Sequence, residues 1–153
     1  MKNEINNIVS EISVTYKPAI GDKPIIKSTL DSYNVIRGFF SENTITVQEQ
    51  FVVLYLNQAQ RVIAGYKAST GGITSTVGDL RLIFSVGLKS LATCFIVGHN
   101  HPSGNLQPSN NDISLTQRLK EAGKMIDIKL LDHIIIGPED GKYFSFADQG
   151  LIL

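Results

Sequence analysis

The sequence predicts an α/β fold in which a mixed, partly antiparallel β-sheet is flanked by helices. Strand-type and helix-type patterns are interleaved along the chain, without an internal repeat. The run TCFIVG at residues 93–98 is continuously apolar, as expected of a central strand that is buried on both faces. Residues 49–56 and 61–70 are rich in β-branched and aromatic side chains and flank a short turn, which predicts an antiparallel hairpin.

Three helices and two further strands complete the predicted fold. Apolar residues recur at helical spacing over about residues 28–40, 79–91 and 109–125. The loop before the second helix is marked by Gly71, Gly72 and Gly78. The segments KLLDHIIIG and KYFSF have the composition of strands, with a turn from Gly137 to Gly141 between them.

A single compact domain is expected. The length of 153 residues suits one hydrophobic core, which would bury about two-thirds of the surface that the unfolded chain exposes. Residues 1–48 are expected to supply an edge strand, a turn-rich loop and a helix capped by Ser28 or Asp31, all packed on the core. Residues 49–153 are expected to form the core itself and to carry the functional site.

Charge and composition exclude several classes of protein. Lys plus Arg and Asp plus Glu number 14 each, so no net positive field indicates nucleic acid as a partner, although a local basic patch stays open. No apolar run approaches the roughly 18 residues of a membrane span, and the N-terminus does not resemble a signal peptide. The single cysteine, Cys94, suits a reducing compartment. We expect a cytoplasmic protein without a membrane segment; the sequence indicates no oligomeric state.

Two histidines at strand spacing suggest a metal site. His99 and His101 are separated by one residue, so in extended backbone their side chains leave the same face and can converge on one cation. A turn follows, and a connection of seven residues leads from His101 to Ser109, with Asp112 three residues further on. Two imidazoles and one carboxylate leave a tetrahedral zinc ion one open position, which catalytic zinc sites use for a water molecule.

The same spacing resembles a known family. His-x-His, seven residues, then Ser-x-x-Asp is the signature of the JAB/MPN metalloenzymes, or JAMM metallopeptidases, and GHNHPSGNLQPSNNDISLTQRL is similar to their bacterial RadC branch. QRVIAGYKASTGG, LLDHIIIG and YFSFADQG are similar to that branch as well, so the resemblance covers about residues 49–153. The resemblance implies the JAB/MPN fold, with its cytidine-deaminase-like architecture, and zinc as the cofactor, held by His99, His101 and Asp112.

The resemblance implies two further roles. The family's serine, which helps to stabilise the developing oxyanion, falls on Ser109. The family's upstream glutamate acts as acid and base and precedes the first strand of the hairpin, where Glu49 stands. Glu42 is the alternative if the register differs.

Each of these positions also has a purely structural interpretation. Ser109 and Asp112 match a capping box at the start of a helix. Glu49 is also explained as a solvated charge at a strand edge. His133 is interpreted as a hydrogen-bonded side chain on a half-buried strand, and the functional alternative is that it or Asp132 orients a metal ligand.

Two functions of different classes follow. The favoured one is a zinc-dependent hydrolase of amide or isopeptide bonds that acts on a peptide or protein. The alternative is a non-catalytic RadC-like interaction module associated with DNA repair or mobile elements, as the family's name suggests. A cytidine-deaminase zinc site is excluded, because it needs a Cys-x-x-Cys pair and the chain has one cysteine.

One departure from the RadC pattern bears on this choice. RadC proteins usually carry an N-terminal helix-hairpin-helix region. Only 48 residues precede Glu49 here, which are too few for that region and lack its glycine pattern. We therefore expect that this chain lacks it, which weakens the case for a role on DNA.

Overall fold

A five-stranded mixed sheet forms the centre of the protein in this computed structural model, which describes residues 9–70 and 79–152. The strands lie in the order β2-β1-β3-β4-β5. In chain order the elements are α1 (Thr29–Arg37), β1 (Gln50–Leu56), β2 (Val62–Thr70), α2 (Leu80–Lys89), β3 (Cys94–Asn100), α3 (Asn110–Met125), β4 (Lys129–Ile136) and β5 (Tyr143–Ser145). The predicted mixed α/β class is therefore confirmed.

The pairing of the strands combines both orientations. β1 is antiparallel to β2 and to β3, β3 is parallel to β4, and β5 is antiparallel to β4. The parallel pair requires a crossover, and α3 provides it. β3 is the central strand, and all seven of its residues are buried, as its continuous apolar run predicts.

Helices cover both faces of the sheet, and the two faces have separate hydrophobic clusters. On one face Tyr33 and Ile36 of α1 pack against side chains from β1, β3 and β4. On the other face Ile83 of α2 and Leu115 and Leu119 of α3 pack against the opposite side chains of the same strands. This three-layer arrangement explains why the inner strands are apolar on both sides.

The predicted helices begin at capping residues. Ser28 caps α1 by accepting a hydrogen bond from the Asp31 backbone N–H, which decides between the two predicted caps. Asp79 caps α2 and Ser109 caps α3 in the same way. α1 ends at Arg37, a turn before the predicted end at residue 40.

The predicted N-terminal strand is wrong over the residues that the structure describes. Residues 9–24 belong to no strand. The segment contacts β2 through the Tyr16 hydroxyl, which donates to the Ile63 carbonyl oxygen at 3.2 Å, and an isolated bridge between Ile25 and Arg61 follows. Ile12 and Val14 are 83% and 71% exposed. A strand of alternating character needs a covering layer for its apolar face, and these side chains have none.

Two smaller expectations can also be compared with the structure. Cys94 is buried in the first cluster, as expected of a small apolar side chain. Among the described helices none combines the length and the apolar character that crossing a bilayer requires. The predicted glycine loop at residues 71–78 lies outside the described residues.

Gly123 should be intolerant of a side chain, although it lies in a helix. A Cβ there would come within 2.3 Å of the Ile128 carbonyl oxygen and 3.1 Å of the Phe95 ring. We expect Gly123→Ala to lower the free energy of unfolding by about 1–3 kcal/mol, as overpacking does, despite the better helix propensity of alanine. The measurement is urea unfolding followed by circular dichroism.

Gly38 provides the matched control. It lies at the end of α1 with helical backbone angles, and its nearest Cβ contact would be at 3.4 Å. Gly38→Ala should change the free energy of unfolding by less than about 1 kcal/mol. Equal losses in the two variants would show that the contact with Ile128 is not the cause.

Candidate metal centre

The site lies where the central strand ends and α3 begins. His99 lies at the C-terminal end of β3, and His101 follows directly after the strand. The turn that starts at Pro102 then leads the chain to the first turn of α3, which carries Asp112. The structure brings these three predicted residues together: they form the His/Asp group whose ligand atoms all lie within 4.8 Å of one another.

The separations within this group suit a tetrahedral ion. His99 Nε2 lies 3.0 Å from His101 Nε2 and 3.2 Å from Asp112 Oδ1, and His101 Nε2 lies 3.4 Å from Asp112 Oδ2. Zinc–ligand bonds of about 2.0–2.1 Å place neighbouring ligand atoms of a tetrahedron about 3.3 Å apart. Each histidine nitrogen thus lies near this distance from one carboxylate oxygen, Oδ1 for His99 and Oδ2 for His101, so the three side chains form a group that could hold a metal ion.

The hydrogen bonds behind the site direct the His101 lone pair into it. His101 Nδ1 lies 2.6 Å from the Asn105 carbonyl oxygen. Because a carbonyl oxygen only accepts, Nδ1 carries the proton and donates. Neutral His101 then has its lone pair on Nε2, the nitrogen that faces His99 and Asp112. A metal ligand requires this tautomer.

The electrostatics of the group favour positive charge. Burial by itself would raise the pKa of Asp112, but without a metal ion the hydrogen bonds that protonated His101 and His99 donate outweigh burial and hold the pKa far below the usual value. Burial would lower the pKa of His101, yet the hydrogen bonds to Asp112 and Asn105 and the charges of Asp112 and Glu49 raise it. The carboxylate thus stays ionised, and a divalent cation would supply the charge that these groups favour.

Ser109 and Asp112 can cap α3 and belong to a metal site at the same time. Asp112 Oδ2 accepts from the Ser109 backbone N–H at 2.7 Å, and Ser109 Oγ accepts from the Asp112 backbone N–H at 3.1 Å. This capping box fixes the carboxylate while both of its oxygens still face the histidines. The cap therefore orients the candidate ligand instead of competing with it.

Glu49 lies beside the group. In the antiparallel pairing of β1 with β3, Phe51 is opposite His99, and the same register continued by two residues brings Glu49 opposite His101. Glu49 is half-buried, and its charge raises the pKa of His101. Glu42 instead pairs with Arg37, and its side chain is 77% exposed. The role of Glu49 as acid and base stays a prediction.

Asn100, between the two histidines, holds the segment that carries Glu49. Its side chain is on the opposite face of β3 and is fully buried. The Oδ1 atom accepts from the Gln50 N–H at 2.8 Å, and Nδ2 donates to the carbonyl oxygens of Gln48 at 2.8 Å and Ile45 at 2.9 Å. Both chain neighbours of Glu49 are therefore fixed. A polar amide in an apolar strand was the signal in the sequence, and our prediction missed it.

His133 is buried more deeply than predicted. It is fully buried on β4, where it registers with Val97, and burial lowers its pKa well below the usual value. Its ring nitrogens lie 2.8 Å from His99 Nδ1 and 2.6 Å from Thr116 Oγ1. The predicted hydrogen bonding is confirmed, but the strand is not half-buried at this residue. Thr116, a polar residue on the buried face of α3, was also missed.

Asp132 supports the neighbouring strand end and lies apart from the ligand group. Its carboxylate accepts from the Ser145 hydroxyl at 2.6 Å, from the His133 N–H at 2.7 Å and from the Ala147 N–H at 2.9 Å. Burial raises the pKa of this carboxyl, although the hydrogen bonds act against the rise. Asp132 therefore links β4 to β5 and the turn that follows.

Comparison with known proteins connects this geometry to a family. A family model described as the RadC-like JAB domain matches residues 26–151. The chain is 42% identical over 126 residues to a UPF0758 protein of Flavobacterium johnsoniae, covering 82% of this chain and 53% of the relative. It is 43% identical over 131 residues to a UPF0758 protein of Porphyromonas gingivalis, covering 86% and 57%. The UPF0758 protein YsxA of Bacillus subtilis is 38% identical over 128 residues, covering 84% and 53%.

The lengths of these proteins differ. The chain spans about half the length of the curated relatives it matches. The match to the family model begins at residue 26, so it includes α1 as well as the residues from Glu49 onward. The similarity thus extends to the helix that packs behind the site.

Asn100 should be essential for stability. Asn100→Asp keeps the shape of the side chain but removes both N–H donors, which leaves the carbonyl oxygens of Ile45 and Gln48 unpaired and buries a charge. We expect the free energy of unfolding to fall by roughly 2–5 kcal/mol at pH 7, the cost of two unsatisfied buried groups. Asn34→Asp, on the exposed surface of α1, is the control and should cost at most about 0.5 kcal/mol. If a urea titration gave similar losses for Asn100→Asp and Asn34→Asp, the hydrogen bonds of Asn100 would not be the cause.

Proposed function

This chain belongs to the RadC-like JAB domain family, and on that premise we propose that it is a zinc-dependent hydrolase of amide or isopeptide bonds in peptides or proteins. The observation that carries the proposal is the convergence of His99, His101 and Asp112: the two Nε2 atoms lie 3.0 Å apart, and each lies within 3.4 Å of one Asp112 carboxylate oxygen. Closed structural sites use four protein ligands, whereas three protein ligands leave a position for chemistry.

Zinc would be held by two neutral imidazoles and one carboxylate. When bound, the ion would acidify a water molecule and polarise the carbonyl group of the substrate. The protein would keep the ligands oriented: the Asn105 carbonyl oxygen fixes the His101 ring, and the capping box fixes Asp112. Orientation of this kind lowers the reorganisation needed during the reaction.

Glu49 would move the proton. We assign it to accept the proton of the attacking water and to return it to the leaving amine, a role that needs a carboxylate outside the ligand set. Its position opposite His101 in the continued β1–β3 register supports this assignment. Asn100 holds both neighbours of Glu49 by hydrogen bonds, so the carboxylate has a rigid base.

Ser109 would act on the oxygen of the substrate. Its Oγ atom accepts a hydrogen bond from the Asp112 backbone N–H, which uses a lone pair and not the hydroxyl proton. That proton can be donated to the oxyanion that develops as the carbonyl carbon is attacked. Ser109 is exposed, and the side chains of His101 and Asp112 are 14% and 16% accessible. A site reached from the surface suits a polymer substrate.

Metal analysis tests the ligand set. Protein supplied with zinc and then dialysed should retain about one zinc per chain, because the group forms one mononuclear site. Asp112→Asn should lose most of this zinc, since the amide replaces the charged ligand. Asp22→Asn, at an exposed position, should retain it. Elemental mass spectrometry gives the stoichiometry, and wild-type protein that retains no zinc would contradict the proposal.

Two glutamate variants test the acid and base. Glu49→Gln should reduce hydrolysis by at least about 100-fold, the usual contribution of general acid–base catalysis, while the zinc content stays at the wild-type level. Glu42→Gln should leave the rate unchanged, because Glu42 is exposed and pairs with Arg37. The probes are internally quenched peptide libraries with either main-chain or lysine-linked amide bonds.

The outcomes of this comparison are distinct. Loss of activity in Glu42→Gln with normal activity in Glu49→Gln would transfer the role to Glu42. Wild-type protein that binds zinc and cleaves none of the probes would favour the non-catalytic interaction module instead.

A further inference from the structure

We propose that His133 is a positioning residue of the metal centre: a hydrogen-bond relay through Thr116 and His133 fixes which ring nitrogen of His99 faces the ion. The first hydrogen bond of the relay is accepted by the backbone carbonyl oxygen of Asp112. The last ring in the relay, His99, lies beside the carboxylate of the same residue. The inference rests on the proposed function, because the ion is the zinc proposed there. It assigns a role to two buried polar residues that the reaction itself does not use.

The direction of the relay is set at Asp112. Thr116 Oγ1 lies 2.6 Å from the Asp112 carbonyl oxygen, one turn earlier in α3. A carbonyl oxygen only accepts, so the Thr116 hydroxyl donates its proton to it. A hydroxyl has one proton, and every further partner of Thr116 Oγ1 must therefore be a donor.

His133 is that donor. Its Nδ1 atom lies 2.6 Å from Thr116 Oγ1, so Nδ1 carries a proton. The ring is fully buried, stacks on Phe146 at 4.6 Å and meets the edge of Phe51 at 6.0 Å. Such surroundings favour the neutral ring, and a neutral imidazole with a proton on Nδ1 presents a lone pair at Nε2.

The lone pair of His133 in turn fixes His99. His133 Nε2 lies 2.8 Å from His99 Nδ1, so His99 must donate from Nδ1. Neutral His99 then has its lone pair on Nε2, which lies 3.0 Å from His101 Nε2 and 3.2 Å from Asp112 Oδ1. This is the tautomer that binds a metal, and the other tautomer would aim a proton at the ion.

Packing alone does not account for a histidine at position 133. The ring packs against Phe51 and Phe146, and a phenylalanine would make these contacts without burying two polar nitrogens. His101 obtains the same tautomer more simply, from the Asn105 carbonyl oxygen. The Nδ1 atom of His99 points instead toward β4 and α3, where His133 and Thr116 provide an acceptor connected to a carbonyl oxygen.

The test uses two pairs of variants and the affinity for zinc. His133→Phe keeps the packing but removes the acceptor, and Thr116→Val keeps the shape but removes the hydroxyl. Each should weaken zinc binding by about 10–100-fold, the usual effect of losing a partner that orients a metal ligand. Thr116→Ser keeps the hydroxyl and should bind zinc like the wild type. Competition with a chromophoric chelator gives the dissociation constants.

The double variant separates a relay from general damage. Members of one serial relay are not additive, so His133→Phe with Thr116→Val should bind zinc no more weakly than His133→Phe alone. A loss of zinc affinity in the double variant equal to the product of the two single losses would overturn the relay. If His133→Phe does not fold, which a urea titration detects, the comparison of Thr116→Val with Thr116→Ser still decides.

A second readout needs neither metal nor substrate. The chain has three histidines, so the imidazole nitrogen spectrum of labelled, zinc-free protein contains three rings. At a pH of about 8.5, above the usual histidine pKa, His99 should be the Nδ1–H tautomer in the wild type and in Thr116→Ser. It should shift toward the Nε2–H tautomer in Thr116→Val and His133→Phe. A wild-type His99 protonated on Nε2 would overturn the relay.

Failure of the relay and failure of the proposed function give different results. Wild-type protein that takes up no zinc would overturn the proposed function. Wild-type protein that binds zinc no more tightly than Thr116→Val and His133→Phe would overturn the relay and leave the zinc site standing.

Discussion

The register between β1 and β3 is the constraint on which the site depends. In this antiparallel pair Phe51 lies opposite His99, and the start of β1 therefore lies beside the end of β3. Side chains alternate between the faces of a strand, so a slip of one residue would turn both histidines away from α3 and toward α1. The Asp112 carboxylate would then contact neither imidazole. The apolar side chains on both faces of β3 hold the register, because each face has its own cluster.

Alternation along β3 also divides the work between the two faces. His99 and His101 face α3, and Asn100 between them faces the segment before β1. Three consecutive residues thus provide two candidate metal ligands and, in Asn100, the side chain that fixes the backbone on both sides of Glu49. Because His99 and Asn100 end β3 and His101 follows directly, the position of the ligands relative to Glu49 is set by the backbone pairing of β1 with β3. This coupling suits a reaction in which a proton moves across a short distance.

Much of this arrangement could be predicted from local patterns, and the remainder depended on contacts distant in sequence. His-x-His spacing and the Ser109 cap are local, and the structure brings those side chains together. The partners of Asn100 are up to 55 residues away, and His133 is 34 residues from His99. Only the strand order and register reveal such pairs. The prediction of an N-terminal strand was wrong for the same reason, because alternation of apolar and polar residues does not show whether another layer covers the apolar face.

The buried polar groups of the sheet give the strongest physical argument for a cation at this end. Asn100 is fully satisfied by backbone groups, and Asn105 gives His101 an acceptor. With protons on both Nδ1 atoms, the neutral rings of His99 and His101 direct two lone pairs at each other across 3.0 Å, beside an ionised carboxylate. Acceptors that face one another repel unless a positive charge lies between them. Hydrogen bonds on the far side of both rings hold these acceptors in place, so the group is preorganised for a positive ion.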